Sequence, residues 1–142
     1  TFDVLFNFFT SFGYFQTDGE NQAVVEGVAN VLRPGGRFFV DYLNADTVSR
    51  ELVPESSRNA GPFTVHERRW IKDGRVNKET KVYQEGQLVR KFGESVRLYT
   101  ATDFTTMLRT AGLEVDHLFG DFNGAAMSPG APRMIVVGHR PA

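Results

Sequence analysis

The stretch Val31-Leu32-Arg33-Pro34-Gly35-Gly36-Arg37-Phe38-Phe39-Val40-Asp41-Tyr42 sets the fold class. Just upstream, Val24, Val25, Val28, Val31 and Leu32 recur at helical spacing, so Asn21 to Leu32 reads as an amphipathic helix. Arg33-Pro34-Gly35-Gly36 is a stop signal, because proline has no amide hydrogen to continue the helix and glycine accepts the left-handed backbone that ends it. Arg37 to Tyr42 then reads as a short buried strand. Before the helix, Phe2 to Phe9 is a nearly continuous apolar run broken by Asp3 and Asn7, and Asp3 to Phe8 reads as a strand buried on both faces. Strand, helix, strand is a βαβ unit, whose crossover is right-handed and whose strands are parallel. The chain is therefore of the α/β class.

Working outward, Asp46 is expected to cap a short helix to about Leu52, and Pro54 to Pro62 reads as a loop. Between Phe63 and Tyr99 the charge becomes dense, and Asp73-Gly74 and Glu85-Gly86 are hairpin turn signals. They divide the segment into three antiparallel strands, Val65 to Ile71, Val76 to Tyr83 and Leu88 to Leu98. Thr100 with Asp103 forms a capping box, Phe104, Met107, Leu108 and Ala111 share one helical face, and Gly112 stands where a left-handed terminator belongs. Leu113 to Phe119 reads as a strand, Gly120 to Pro132 as a loop, and Met134 to Gly138 as a last buried strand. The domain reading is a core in two parts, 1–62 and 100–142, interrupted by an antiparallel insertion at 63–99.

Composition narrows the function classes. The 142 residues are 41% hydrophobic and 23% charged, an ordinary globular balance. No apolar run approaches the ~20 residues a membrane helix needs. Without a signal peptide pattern, the expected location is cytoplasmic. A net charge of −1 gives no general attraction to nucleic acid or an acidic membrane. The 63–99 segment has nine basic and five acidic residues, but the signs alternate, which suits a solvated sheet face better than a nucleic-acid surface. With no cysteine there is neither a disulfide framework nor a thiolate metal site, and His66, His117 and His139 fit no metal spacing.

The parallel strands Asp3 to Phe8, Arg37 to Tyr42 and Leu113 to Phe119 bring their carboxyl ends to one edge, where such sheets hold ligands. Asn7, Tyr14, Asp41 and Asp121 lie there among aromatics. Yet no two glycines are separated by a single intervening residue, so the fingerprint of a phosphate-binding strand-to-helix turn is missing.

The residues resemble class I S-adenosylmethionine-dependent methyltransferases over almost the whole chain. Phe2-Asp3-Val4-Leu5-Phe6-Asn7 with Ser11-Phe12-Gly13-Tyr14-Phe15 looks like the family's fourth strand and following loop, and Leu32-Arg33-Pro34-Gly35-Gly36 like the turn into its fifth. Ala111-Gly112-Leu113, Gly120-Asp121-Phe122 and Pro132-Arg133-Met134-Ile135-Val136-Val137 look like the last helix and closing hairpin of a small-molecule branch. The resemblance implies that the glycine-rich cofactor loop lies upstream, so that the chain is the C-terminal part of a methyltransferase and inactive alone. It implies cofactor contacts from Asn7, Phe8 and Thr10, catalytic roles for Tyr14 and Asp121, acceptor contacts from Phe12, Tyr42 and Phe122, and no metal. Asn7 is followed by Phe8-Phe9-Thr10 rather than Pro-Pro-Tyr, which argues against a nucleobase or glutamine acceptor. A homodimer through the first strand or the 63–99 sheet is expected, since an uncovered apolar strand invites pairing. The alternatives are a non-catalytic module that binds a ligand or partner on the 63–99 sheet, and a structural subunit completed by a second polypeptide.

Overall fold

A computed structural model describes residues 1–142. Two four-stranded sheets form. The first contains β1 (Phe2–Asn7), β2 (Leu32–Leu43), β7 (Glu114–Phe119) and β8 (Arg133–His139), in the order β1-β2-β8-β7. β1 and β2 are parallel, while β8 runs antiparallel to both β2 and β7. β1, β2 and β7 thus point the same way, as expected, with β8 between β2 and β7. The second sheet follows chain order: β3 (Glu55–Ala60), β4 (Phe63–Lys72), β5 (Arg75–Gln84) and β6 (Gln87–Arg97), all antiparallel.

The helices obey local signals. α1 (Asp18–Val31) starts earlier than the apolar stripe suggests, because Thr17 and Glu20 form a capping box. α2 (Ala45–Glu51) is capped by Asn44 rather than Asp46; the Asp46 amide donates to Asn44 Oδ1 at 3.1 Å. α3 (Ala101–Thr110) has the expected Thr100–Asp103 box, and Gly112 follows at φ +80°. Both hairpin signals hold: Asp73, Gly74, Glu85 and Gly86 all have positive φ.

Two expectations are corrected. The second sheet has four strands, not three, since Glu55–Ala60 pairs along its whole length with Phe63–Arg68. The first strand is not buried on both faces: Leu5 packs on the core, whereas Phe2, Val4 and Phe6 are 61%, 46% and 60% exposed. α1 and α3 cover one face of the first sheet, enclosing Val25, Leu32, Phe38, Val40, Tyr42, Phe104, Leu108, Leu113, Met134 and Val136. β1 is terminal in the sheet, so its outer backbone groups have no strand partner, and its apolar outer face has no helical layer.

The close approach of β7 and β8 needs glycine at position 138. A Cβ there would stand 2.0 Å from the Glu114 carbonyl oxygen and 2.5 Å from the Phe38 ring. Gly138→Ala is expected to cost about 3 kcal/mol or more, because backbone must move to admit the methyl group. Denaturant unfolding checks this, and a loss below about 1 kcal/mol would contradict the tight β7–β8–Phe38 packing.

Candidate functional site

The carboxyl ends of β1 and β2 and the start of β8 meet at one edge, and Asp41 lies at the junction. Its side chain is fully buried. Arg133 Nε donates to Asp41 Oδ1 at 2.8 Å, and the Phe9 amide donates to Oδ2 at 2.9 Å. The Thr10 amide donates to the Asp41 carbonyl at 3.0 Å, and Arg133 Nη2 donates to Thr10 Oγ1 at 2.9 Å. A buried carboxylate without partners costs several kcal/mol, so these contacts tie three chain segments into one rigid edge. Within the turn after β1, Asn7 Nδ2 donates to the Ser11 carbonyl at 3.1 Å and Ser11 Oγ donates to the Phe8 carbonyl at 2.7 Å.

The turn carries aromatic rings outward. Phe9 is 80% exposed, and Phe8 stacks on Phe6 at 5.5 Å and packs at a tilt against Phe39 at 5.3 Å. The edge therefore offers an apolar ledge on a charged, buried base.

A second network joins the two sheets through the segment Gly13–Phe15. The Tyr42 hydroxyl donates to the Arg97 carbonyl and accepts the Tyr99 amide at 3.2 Å. Tyr99 donates to Asp18 Oδ1 at 2.7 Å and accepts from Asn21 Nδ2 at 3.1 Å. Asn21, completely buried, holds the Phe15 amide through its Oδ1 at 3.3 Å. Arg75 Nη1 donates to the Phe15 carbonyl at 3.0 Å, and the Arg97 amide donates to the Gly13 carbonyl at 2.8 Å. Gly13 has φ +91°, and a Cβ would stand 3.2 Å from the Arg97 carbonyl, so a side chain there would be both strained and crowded. Burial pushes the Tyr42 phenol up to about 12. Tyr99 is also pushed up to about 12, by burial first and then by its hydrogen bond to Asp18. That same bond holds the Asp18 carboxyl below its usual range.

The residues expected at the site fall into two groups. Phe8 and Thr10 belong to the edge turn, and Asn7 anchors it. The Asn7 side chain, however, lies beside Phe12, Val25 and Val40 around a cavity of about 20 Å³, with its Oδ1 buried and unpaired, so it faces the core rather than the cleft. Phe12 and Tyr42, expected as acceptor contacts, are buried in the core. Phe12 packs against Tyr42, Tyr99 and Phe104, while Tyr42 is wholly buried with its hydroxyl committed. Asp121 organises its own loop, accepting the Asn123 and Ala125 amides at 2.8 and 3.0 Å. Tyr14 and Phe122 stand 48% and 60% exposed. Arg133 carries no local sequence signal of its role, because its partner Asp41 lies 92 residues away.

The second sheet does not enclose an apolar pocket. A groove of about 750 Å³ on it is open and lined mainly by Glu55, His66, Arg68, Glu79, Lys81 and Lys91. The binding-module alternative loses its support there. The three histidines stand apart: His66 packs on Tyr83, His117 on Phe119, and His139 Nδ1 lies 3.0 Å from Asp116.

No protein-family model and no curated protein matches the chain. Solved structures do. A S-adenosylmethionine-dependent methyltransferase from Clostridium acetobutylicum ATCC 824 superposes with TM-score 0.85 at 16% identity, covering 99% of this chain and 59% of that one. The CcbJ methyltransferase from Streptomyces caelestis gives 0.80 at 20% identity, covering 97% and 60%. A S-adenosylmethionine-bound amino pentose methyltransferase from Micromonospora echinaspora, involved in calicheamicin biosynthesis, gives 0.65 at 20% identity, covering 99% and 58%. The fold is that of the C-terminal part of such methyltransferases, and the chain spans about 60% of their length.

The tyrosine network has an alkaline signature. Because folding raises both phenol pKa values, its stabilisation is complete below the ordinary tyrosine value of ~10 and is lost as pH rises from there through about 12. Unfolding midpoints measured between pH ~8 and ~12 are expected to be flat and then fall. Tyr42→Phe is expected to cost about 1–3 kcal/mol at neutral pH and to make the alkaline fall shallower. An unchanged alkaline slope in that variant would contradict the assignment.

Proposed function

We propose that the chain forms the C-terminal part of an enzyme that transfers a methyl group from S-adenosylmethionine to a small-molecule acceptor. The observation that carries this reading is the position of the aromatic turn. It lies at the carboxyl end of β1, the parallel strand whose outer edge is open, and in doubly wound sheets ligands bind beyond such carboxyl ends. The donor is supported by structural neighbours that are S-adenosylmethionine-dependent methyltransferases, one of them an amino pentose methyltransferase.

The residues present fit the donor as one wall of its site. The exposed Phe8 and Phe9 rings are suited to the cationic sulfonium end, since a cation is attracted to an aromatic face. When bound, S-adenosylmethionine supplies an activated methyl group with a good leaving group. This chain's part is orientation and exclusion of water: the Asp41–Arg133 base keeps the turn in place, and the Phe6, Phe8, Phe9 and Phe39 rings make the wall apolar. Tyr14 and Asp121 are our candidates for polarising the acceptor, the latter with one carboxylate oxygen engaged by its own loop. The Glu55–Arg97 sheet covers the acceptor side. No helix is long and apolar enough to cross a membrane, and we read the protein as cytoplasmic.

This division of the site makes the isolated 142 residues a poor binder. Calorimetric titration with S-adenosylmethionine is expected to give a dissociation constant weaker than ~100 μM, and a micromolar value would overturn the one-wall reading. Self-association is expected as well, through the open edge of β1 or the second sheet. Light scattering should give a mass above 15.9 kDa, and the double substitution V4K and F6K should lower it if β1 is the contact. A monodisperse monomer would contradict self-association.

A further inference from the structure

We infer that Arg133 is the positioning residue of the cleft: it acts through Asp41 and Thr10 to hold the Phe8–Ser11 turn in a conformation its own backbone does not favour. The consequence for a ligand rests on the methyltransferase reading above; the effect on the turn does not.

Phe9 and Thr10 are consecutive non-glycine residues at φ +57° and +55°. In this left-handed region the Cβ crowds the following carbonyl, and a β-branched residue such as threonine is there only under compulsion. Strained backbone persists where surrounding contacts over-determine it. Here the compulsion comes from outside the turn. Asp41 takes the Phe9 amide on its carboxylate at 2.9 Å and the Thr10 amide on its carbonyl at 3.0 Å. Arg133 then closes the ring, with Nε on Asp41 and Nη2 on Thr10 at 2.8 and 2.9 Å.

The Arg133 backbone is itself fixed, pairing with Leu43 in the ladder and donating its amide to the Gly120 carbonyl at 2.8 Å. Its planar fork serves two acceptors at once, which the single ammonium of a lysine does not reproduce. With the turn held this way, the ring of Phe9 stands clear of the sheet at 80% exposure. A turn stabilised only by its own residues would relax to ordinary backbone angles and lose that presentation. Phe9 is accordingly the ligand-facing aromatic of the edge, in place of the buried Phe12 and Tyr42.

Native-state amide exchange in the 142-residue chain tests the inference, read at Phe9 and Thr10 relative to the ladder amides of Val40 and Val136. R133M is expected to speed both turn amides by about tenfold or more, and R133K to restore only part of the protection. Adding T10G to R133M should restore protection at Phe9, because glycine adopts the left-handed region freely. D41N with R133M should not restore it. The opposite pattern, rescue by D41N and none by T10G, would show that Arg133 only neutralises a buried charge, and would overturn the inference, as would unchanged exchange in R133M. If R133M fails to fold, R133K against R133K with T10G makes the same comparison. A turn that behaves as expected while millimolar S-adenosylmethionine leaves its amide signals unmoved would overturn the proposed donor wall and uphold the positioning role.

Discussion

A carboxylate removed from water at the end of a central strand must find charge and hydrogen bonds within the protein, and Asp41 imposes that requirement on everything around it. One oxygen is satisfied by Arg133 and the other by the Phe9 amide, so the start of β8 and the end of β1 are both drawn to the end of β2. Losing either partner would expose a cost of several kcal/mol, comparable to a large share of the total stability of a small domain. The edge is therefore held by necessity rather than by many weak contacts, and its aromatic ledge inherits that rigidity.

The two faces of the first sheet have different fates for a topological reason. The right-handed crossover from β1 to β2 places α1 on one face, and α3 joins it there. The opposite face at β1 leaves Phe2, Val4, Phe6 and Phe8 about half exposed, each able to gain about 1 kcal/mol if fully covered. Edge pairing with a second copy would occupy the open backbone groups but leave that face bare. A covering layer that brings both a strand and a helix would satisfy both. The solved structures that share this fold are longer chains, of which this one covers about 60%.

What could be read from the amino acids divides by range. Local devices were legible: the Thr100–Asp103 cap, Gly112, the Asp73-Gly74 and Glu85-Gly86 turns, and the end of α1 ahead of Arg33-Pro34-Gly35-Gly36, although those four residues lie within β2 rather than in a turn. The true start of α1 was hidden because Asp18-Gly19 resembles a turn, although the Thr17–Glu20 box overrides it. β3 was hidden because Glu55-Ser56-Ser57-Arg58-Asn59 has the composition of a loop; only the ladder with β4, a nonlocal interaction, makes it a strand. At the site, the carboxyl edge itself was legible from strand direction. Which aromatics face it was not, since Phe9 outside and Phe12 inside differ by turn geometry rather than by residue type. The Asp41–Arg133 pair spans the fold and leaves no trace in local sequence.

The central claim is that the Phe8–Ser11 turn, on its Asp41–Arg133 base, forms one wall of a S-adenosylmethionine site. Amide chemical-shift mapping of the chain at millimolar S-adenosylmethionine tests it most directly. The account predicts weak, saturable shifts concentrated at Phe8–Ser11 and at Asp41–Leu43. Shifts confined to the Glu55–Arg97 sheet, or none anywhere, would contradict it.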